Sequence, residues 1–398
     1  TIFKGIIIKH SMKIRTSHSL LIIECRDKAI KMTAGKKSKF YLDSKDSDVM
    51  EEIIARYGLE TDVEATGFQH KKIVQFDCTD WDFMVTRAQA NGKIGIVDDG
   101  KITVKAPDYS QTELETVTYG ATLLDFDAEI DARNQFSKVT SYAWDPATQE
   151  VTETEASDPA VSLNGNLTVG ELASDIELEN MELKYGGTVA DQSIQDWANA
   201  KVLFNQLSKI RGRVKFQGIP ACKPNTTLML EGVGDRFNGK VYISAVRHEI
   251  TEGQWTIDAQ FGINPTWFSE TYNMNSQPAS GLFPAIHGLQ IGIVTQLESD
   301  PDGEDRIKIN CPLIDKDSEG IWARIASLDA GNERGAFFRP EIDDEVIVGF
   351  INDNPNDAVV LGMLNSSAKP APLTAADANN VKGFVTREKI IFIFNDEK

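Results

Sequence analysis

Between Gly288 and Asn365 the chain carries six short apolar runs, each bounded by Gly, Pro, Asp or Asn. They are Gly288–Val294, Asp305–Asn310, Gly320–Arg324, Gly335–Pro340, Asp344–Phe350 and Asp357–Leu364. Closely spaced short strands with such turn signals predict a small closed β-barrel. Val346, Val348 and Phe350 alternate with Glu345, Ile347 and Gly349, so one face of that strand is expected to be buried. Ile307 and Ile309 alternate with Arg306, Lys308 and Asn310 in the same way.

The order of these runs resembles the oligonucleotide/oligosaccharide-binding (OB) barrel of VgrG proteins and phage tail-spike hubs. The residues that carry the resemblance are the Asp302-Gly303 turn, Arg306 and Lys308, Trp322 and Arg324, and Ala330-Gly331 with Gly335. Pro340, Glu345-Val346, Val348 and Phe350, the Asn354-Pro355 turn, and Val360 with Gly362 complete it. The first turn lacks the family's spacer between Asp and Gly, and the last is Asn-Pro in place of Asp-Pro.

At 398 residues the chain has room for roughly two to four domains with sizeable cores. Its net charge of −19 repels phosphate backbones and argues against non-specific nucleic-acid binding. The charge is uneven. Ser141–Ala190 holds ten acidic residues against one basic, Lys184, so this window carries −9 of the total. The four cysteines, Cys25, Cys78, Cys222 and Cys311, form no Cys-x-x-Cys pair and read as isolated thiols. No apolar run is long enough for a transmembrane helix, and there is no secretory signal pattern. The start at Thr1, directly before the apolar run Ile2–Ile8, reads as a beginning inside a domain.

Upstream of the barrel, residues 1–35 read as strands of a meandering barrel wall, and Lys36–Asp48 as a polar segment. Val49, Ile53, Ile54 and Tyr57 recur at helical spacing, with Asp46–Asp48 as cap candidates and Gly58 as a stop. A second helix opens at Thr79-Asp80-Trp81, with Trp81, Met84, Val85 and Ala88 on one face. Asp98-Asp99-Gly100 then joins two strands of a hairpin. This block also resembles the VgrG pattern of an Asp-Trp-x-Phe helix with Arg87, although Gln89-Ala90 stands where Glu-Glu is usual. Strand patterns return at Val117–Asp127 and Phe136–Trp144, and the acidic stretch Glu150–Glu182 reads as an exposed insertion or mobile loop. Asp191–Arg211 is the clearest helix, with Ile194, Trp197, Ala198, Val202, Leu203, Leu207 and Ile210 as its apolar stripe. Strands over Arg213–Gln217, Thr227–Glu231, Lys240–Ile250 and Trp255–Phe261 lead to a linker, Phe268–Ala285.

Catalytic motifs are missing. His10, His18, His70, His248 and His287 lie outside any metal-ligand spacing, and Gly232-x-Gly234 lacks the third glycine of a phosphate-binding loop. Carboxylates are plentiful, so counting alone leaves a glycosidase pair open. Phage hubs often insert a lysozyme domain between barrel and needle. Here only Ser366–Val381 separates them, which leaves no room for one.

The chain is thus expected to be mainly β with an α+β hub. Duplicated β-barrel hub domains span 1–115 and 116–270, the second with the acidic insertion; an OB-fold barrel spans 286–366. Residues 380–398 resemble the start of a triple-stranded β-helix needle. The resemblance implies a homotrimeric spike of a contractile injection system, such as type VI secretion or an extracellular phage-tail-like particle. It would cap the inner tube, puncture an envelope and deliver effectors. Implied partners are further copies of itself, the inner tube protein, baseplate subunits, a PAAR-type tip protein and effector cargo. No nucleic acid, stable membrane span, cofactor, metal or catalysis is expected. Assembly would take place in the bacterial cytoplasm, with the particle then extracellular or delivered to the target envelope. The alternatives are a phage tail hub and, from another class, a carbohydrate- or nucleic-acid-binding OB protein. Trp322, Arg324, Phe337 and Phe338 are the candidate residues for trimer or stacking contacts. The two phenylalanines and Trp322 are expected in the core or between barrel copies, and the Arg306/Lys308 strand in pairing three copies.

Overall fold

The computed structural model describes residues 3–161 and 164–397. Thr1, Ile2, Lys398 and two residues of the expected acidic insertion, Ser162 and Leu163, lie outside the described residues. The chain forms two compact units, one ending at Asn275 and the other starting at Ser276.

In the first unit, strands β1 (Ile6–Ile14) and β2 (Ser19–Arg26) form an antiparallel hairpin that hydrogen-bonds to no further strand among the described residues. This corrects the expected barrel wall over residues 1–35: a run of Ile and Leu signals a strand, but not what covers it. Strand β3 (Lys36–Lys45) leads into helix α1 (Asp46–Ala55), and β4 (Glu60–Val63) into β5 (Gln69–Thr79), the antiparallel partner of β3. The polar segment expected over Lys36–Asp48 is therefore a strand as far as Lys45. Lysines and serines mask its period, because only Tyr41 is buried while its apolar neighbours Phe40 and Leu42 face outward. Helix α2 (Asp80–Ala90) follows, capped by Thr79, whose hydroxyl accepts the Asp82 N–H. Strands β6 (Ile94–Asp98) and β7 (Lys101–Lys105) form the predicted hairpin, and β4 joins β7 in parallel. Met50, Ile53, Ile54, Met84, Ile102 and Val104 are the centre of this core.

Helices α1 and α2 each begin with a buried aspartate. Asp46 accepts a bidentate pair from Arg87 at 2.6 and 2.8 Å and an amide bond from Asn91 at 2.9 Å, and lies 3.0 Å from His70 Nε2. Asp80 accepts bonds from Lys37 at 2.7 Å, Tyr57 at 2.8 Å and Gln75 at 2.8 Å. Burial alone would raise the Asp46 pKa, but the donors from His70, Arg87 and Asn91 outweigh it and hold the carboxyl well below the usual range.

Strands β8 (Thr116–Thr118) and β9 (Leu123–Ile130) start the second core, followed by β10 (Lys138–Asp145) and β11 (Glu150–Glu155). After helix α3 (Val169–Asp175) comes β12 (Asn180–Tyr185), then the long helix α4 (Asp191–Leu207). Strands β13 (Ile210–Gln217), β14 (Thr226–Glu231), β15 (Gly239–Thr251) and β16 (Gln254–Phe261) complete a six-stranded sheet in the order β8-β14-β15-β16-β13-β9. Val214, Phe216, Leu228, Leu230, Ile243 and Ile257 fill its core. The acidic stretch departs from the expected loop. It supplies β11 and β12, which flank β10, and α3 between them, started by a capping box of Thr168 and Glu171. Alternating Thr and Glu in β11 suits a half-exposed strand, which charge counting reads as disorder.

The second unit holds β17 (Gln290–Gln296), β18 (Ile307–Asn310), β19 (Ile321–Ile325), the two-residue strands β20 (Ala330–Gly331) and β21 (Arg334–Gly335), β22 (Glu345–Phe350) and β23 (Ala358–Met363). Five of them close a barrel in the order β17-β18-β19-β23-β22. Ile307, Ile309, Val346 and Val348 point into its core, as their alternation predicts. Gly320 turns the chain into β19 at φ +94°, and a Cβ there would lie 1.9 Å from the Ile309 carbonyl oxygen. A terminal antiparallel hairpin, β24 (Val381–Val385) with β25 (Ile391–Asn395), follows.

Removing a partner from a buried charge cluster leaves uncompensated charge, so Asp46→Ala should cost about 3–5 kcal/mol in denaturant unfolding at neutral pH. Because the folded pKa is depressed, this contribution is complete above the ordinary aspartate value of about 3.9 and fades as pH falls below it. The gap between wild type and variant should narrow on acidification. A gap that stays constant from pH 7 to below about 3 would contradict the role assigned to Asp46.

Candidate functional site

Trp322 and Arg324 alternate with buried Ala323 on β19, so both project from the outside of the barrel. Trp322 is half-buried and sits opposite Lys308, while Arg324 is exposed opposite Val359. Phe337 and Phe338 follow β21 and do not pack in the core: they are 79% and 56% exposed. That corrects part of the expectation for the two phenylalanines. Arg339 lies over the Phe337 ring at 5.1 Å, and Phe338 stacks on Phe384 of the terminal hairpin with centroids 5.2 Å apart. Among the described residues, Trp322 has no ring contact with either phenylalanine. The four candidates therefore divide into an outer-wall pair and a pair beside the terminal hairpin.

The basic side chains of β18 and its approach are occupied within the barrel. Arg306 bonds Asp300 and Asp302, each at 2.5 Å, and Lys308 bonds Glu319 at 2.5 Å. These bonds clamp the turn before β18, and the Arg306 guanidinium holds the Asp300 carboxyl well below the usual range. Within one copy the Arg306/Lys308 strand thus pairs its cations with carboxylates of the same barrel. The same bonds remove the two cations that a nucleic-acid face on this strand would need.

What the sequence reading missed is a set of uncovered apolar faces. No residue of β1 or β2 is buried, although Ile7, Met12, Ile14, Leu21 and Ile23 are among them. On the β3–β5 sheet, Phe40, Leu42, Val74 and Phe76 are exposed. On the terminal hairpin, Phe384 pairs with Phe392 on one face and Val385 with Ile391 on the other, so both faces are apolar. Val381, Phe384, Ile391, Phe392, Ile393 and Phe394 are all exposed. The available signal was the density of Ile, Leu and Phe without alternating charge. Elsewhere, His70 lies against Asp46 and His287 against Asp353 at 3.1 Å. Among the described residues, no group of three or more His, Cys, Asp or Glu is placed to hold a metal ion. No described helix is long and apolar enough to cross a membrane.

Comparison with known proteins agrees with this architecture. Residues 1–252 match the family described as the Alg8 N-terminal domain. Residues 290–364 match the type VI secretion system/phage-baseplate injector OB domain. The chain belongs to the Alg8 N-terminal domain family, and the match of its barrel to the injector OB domain relates it to VgrG and phage tail-spike proteins. The type VI secretion system spike protein VgrG3 of Vibrio cholerae is 27% identical over 105 residues, 24% of this chain and 10% of that protein. VgrG4b of Pseudomonas aeruginosa, also described as a type VI secretion system spike protein, is 29% identical over 96 residues, 22% of this chain and 12% of its own length. The matched segments thus span about a tenth of these curated relatives. The 43 kDa tail protein of prophage MuSo2 from Shewanella oneidensis is similar in fold with a TM-score of 0.50. It is 12% identical, and the match covers 66% of this chain and 80% of that one.

With Arg306 and Lys308 bound to carboxylates, a fluorescence-anisotropy titration with single-stranded DNA should give no saturable binding at physiological salt. Micromolar binding that Trp322→Ala abolishes would instead make the outer wall of the barrel a ligand site.

Proposed function

We propose that the protein is the trimeric spike hub at the tip of a contractile injection system. It caps the inner tube, and on contraction it punctures the target envelope and carries effectors with it. Its partners in this reading are two further copies of itself, the inner tube protein, baseplate subunits, a PAAR-type tip protein and the cargo. The work is mechanical, and the protein is not an enzyme. The particle is assembled in the bacterial cytoplasm and acts at the target envelope.

The observation that carries the reading is the terminal hairpin. An isolated two-stranded hairpin is marginal in water, and one with apolar side chains on both faces needs neighbours on both. Threefold winding of identical chains supplies them and turns the hairpin into the first turn of a needle. The closed barrel beside it, which has no free strand edge, suits a part that transmits load. The ordered OB motif and its match to the injector OB domain support the same placement.

A phage tail hub is the second reading, favoured by the fold likeness to the Shewanella prophage tail protein. Capsid genes beside the tube and sheath genes would select it. Native mass spectrometry of the full-length protein tests the assembly common to both. A trimer is expected, and a monomer that persists at micromolar concentration would overturn the proposal.

A further inference from the structure

Helix α4 and strand β5 border a cleft of about 1030 Å³ in the first unit. The strand meets it edge-on. His70, Lys71, Lys72, Ile73 and Val74 all line the cleft, although successive side chains of a strand point to opposite faces. The cleft therefore runs along the edge of β5. That edge is unpaired, since β3 is the only strand hydrogen-bonded to β5 among the described residues. The remaining lining is largely apolar, with Ile194 and Trp197 of α4 and Leu183 and Tyr185 from one face of β12.

A buried cation sits in this lining. Lys201 lies one turn beyond Trp197 on α4, in the row of buried positions that includes Ile194 and Phe204, and is only 8% exposed. A helix normally places an apolar residue there. The nearest ion-pair partner of Lys201 among the described residues is the exposed Glu270, at 3.9 Å, and its ammonium lies over the Trp267 ring, 5.3 Å from the centroid. Burial lowers the lysine pKa, and the distant Glu270 offsets this only in part. Two further polar groups of the lining, the Trp267 indole N–H and the Ser193 hydroxyl, are buried with no hydrogen-bond partner among the described residues. Buried polar groups are almost always paired, so their concentration in one cleft marks a surface that an acceptor completes.

Charge gives the acceptor its sign. Within the lining, Asp46 is already neutralised by Arg87. Lys71, Lys72 and Lys201 then stand against Asp196 and Glu270, a cationic cleft in a chain of net charge −19. Lys71 and Lys72 are exposed and make no ion pair among the described residues. Lys201 lies in the same cleft as the apolar lining and the free strand edge, so one ligand meets all of them.

We infer that this cleft takes an extended peptide segment of a partner protein, which pairs with the free edge of β5 and places a carboxylate on Lys201. Backbone bonds to a strand edge give affinity in such strand addition, and side-chain contacts give specificity. Apolar side chains of the segment lie against Trp197 and Tyr185. A buried ammonium without a close partner makes the carboxylate bond strong, because it is charge-assisted and shielded from water. The carboxylate is that of an Asp or Glu side chain or of a chain end, which present the same chemistry to an ammonium. The site does not depend on the trimer proposed above.

Fluorescence anisotropy on the full-length protein tests it with a fluorescein-labelled peptide of alternating valine and glutamate, amidated at its C-terminus. Saturable micromolar binding, weakened about tenfold or more when glutamine replaces glutamate, assigns the carboxylate to a side chain. Binding only by a glutamine peptide with a free C-terminal carboxylate assigns it to a chain end. No saturable binding by either peptide would overturn the inference. Lys201→Met should weaken the bound peptide about tenfold or more while the melting temperature holds or rises, since methionine fills the position without a buried charge. Lys71→Glu with Lys72→Glu, at exposed positions, should weaken it about threefold or more with the far-UV spectrum unchanged. Methylating alternate backbone nitrogens of the peptide should abolish binding, because it blocks pairing with the strand edge. Binding that survives Lys201→Met or backbone methylation would overturn the inference. So would binding that appears only when the protein is diluted to monomer, which would assign the cleft to a second copy.

Discussion

The first core of the hub is fastened by two buried carboxylates that begin helices α1 and α2. Asp46 starts α1 and is held by Arg87 and Asn91 of the α2 segment; Asp80 starts α2 and is held by Lys37, Tyr57 and Gln75. The first residue of each helix is thereby fastened to the other helix or to the turn at its end, and both are tied to the β3–β5 sheet. Acids at helix N-termini also suit the helix dipole. The apolar core packs Met50, Ile53, Ile54 and Met84 against Ile102 and Val104 of β7, and the ionic fastenings add ties from the two helix starts to the two-stranded β3–β5 sheet. Removing one partner would leave charge buried with too few donors, which costs more than losing a surface pair.

A single copy is left with much apolar surface in water: the β1–β2 arm, the outer β3–β5 face and the terminal hairpin. The two units separately satisfy their interiors, with Val346, Val348, Ile307 and Ile309 sealed in the barrel and Met50, Ile53 and Met84 in the hub. The unsatisfied surface lies on the outside. That pattern fits a subunit of a larger assembly better than a free ligand-binding module, whose apolar surface would line a pocket.

The barrel was legible because its residues obey a period of two: Ile307 and Ile309, and Val346 and Val348, each alternate with side chains that face outward. The helices α1, α2 and α4 were legible from caps and stripes. Strand β3 was not, since Lys36, Lys37, Lys39 and Lys45 hide the one buried side chain, Tyr41. Strands β11 and β12 were not, because net charge argues for a loop while Thr and Val argue for a strand, and tertiary pairing to β10 decides. Asp46 and Asp80 were visible only as capping candidates. Their real partners come from distant positions, which no local pattern encodes. For the same reason Arg306 and Lys308 looked available for partners, although Asp300, Asp302 and Glu319 take them up. Trp322 and Arg324 share the outer face of β19, but Phe338 belongs with Phe384, a pairing of residues far apart in sequence.

Amide hydrogen exchange on the purified full-length protein tests most directly whether these outer faces are buried by neighbouring copies. Two strands with nothing covering them open easily, and their amides exchange fast. Burial predicts that amides of Ile391–Asn395 are protected as strongly as those of Glu345–Phe350 in the closed barrel, and that protection falls on dilution to dissociate the assembly. Fast, concentration-independent exchange across Val381–Asn395 would contradict it.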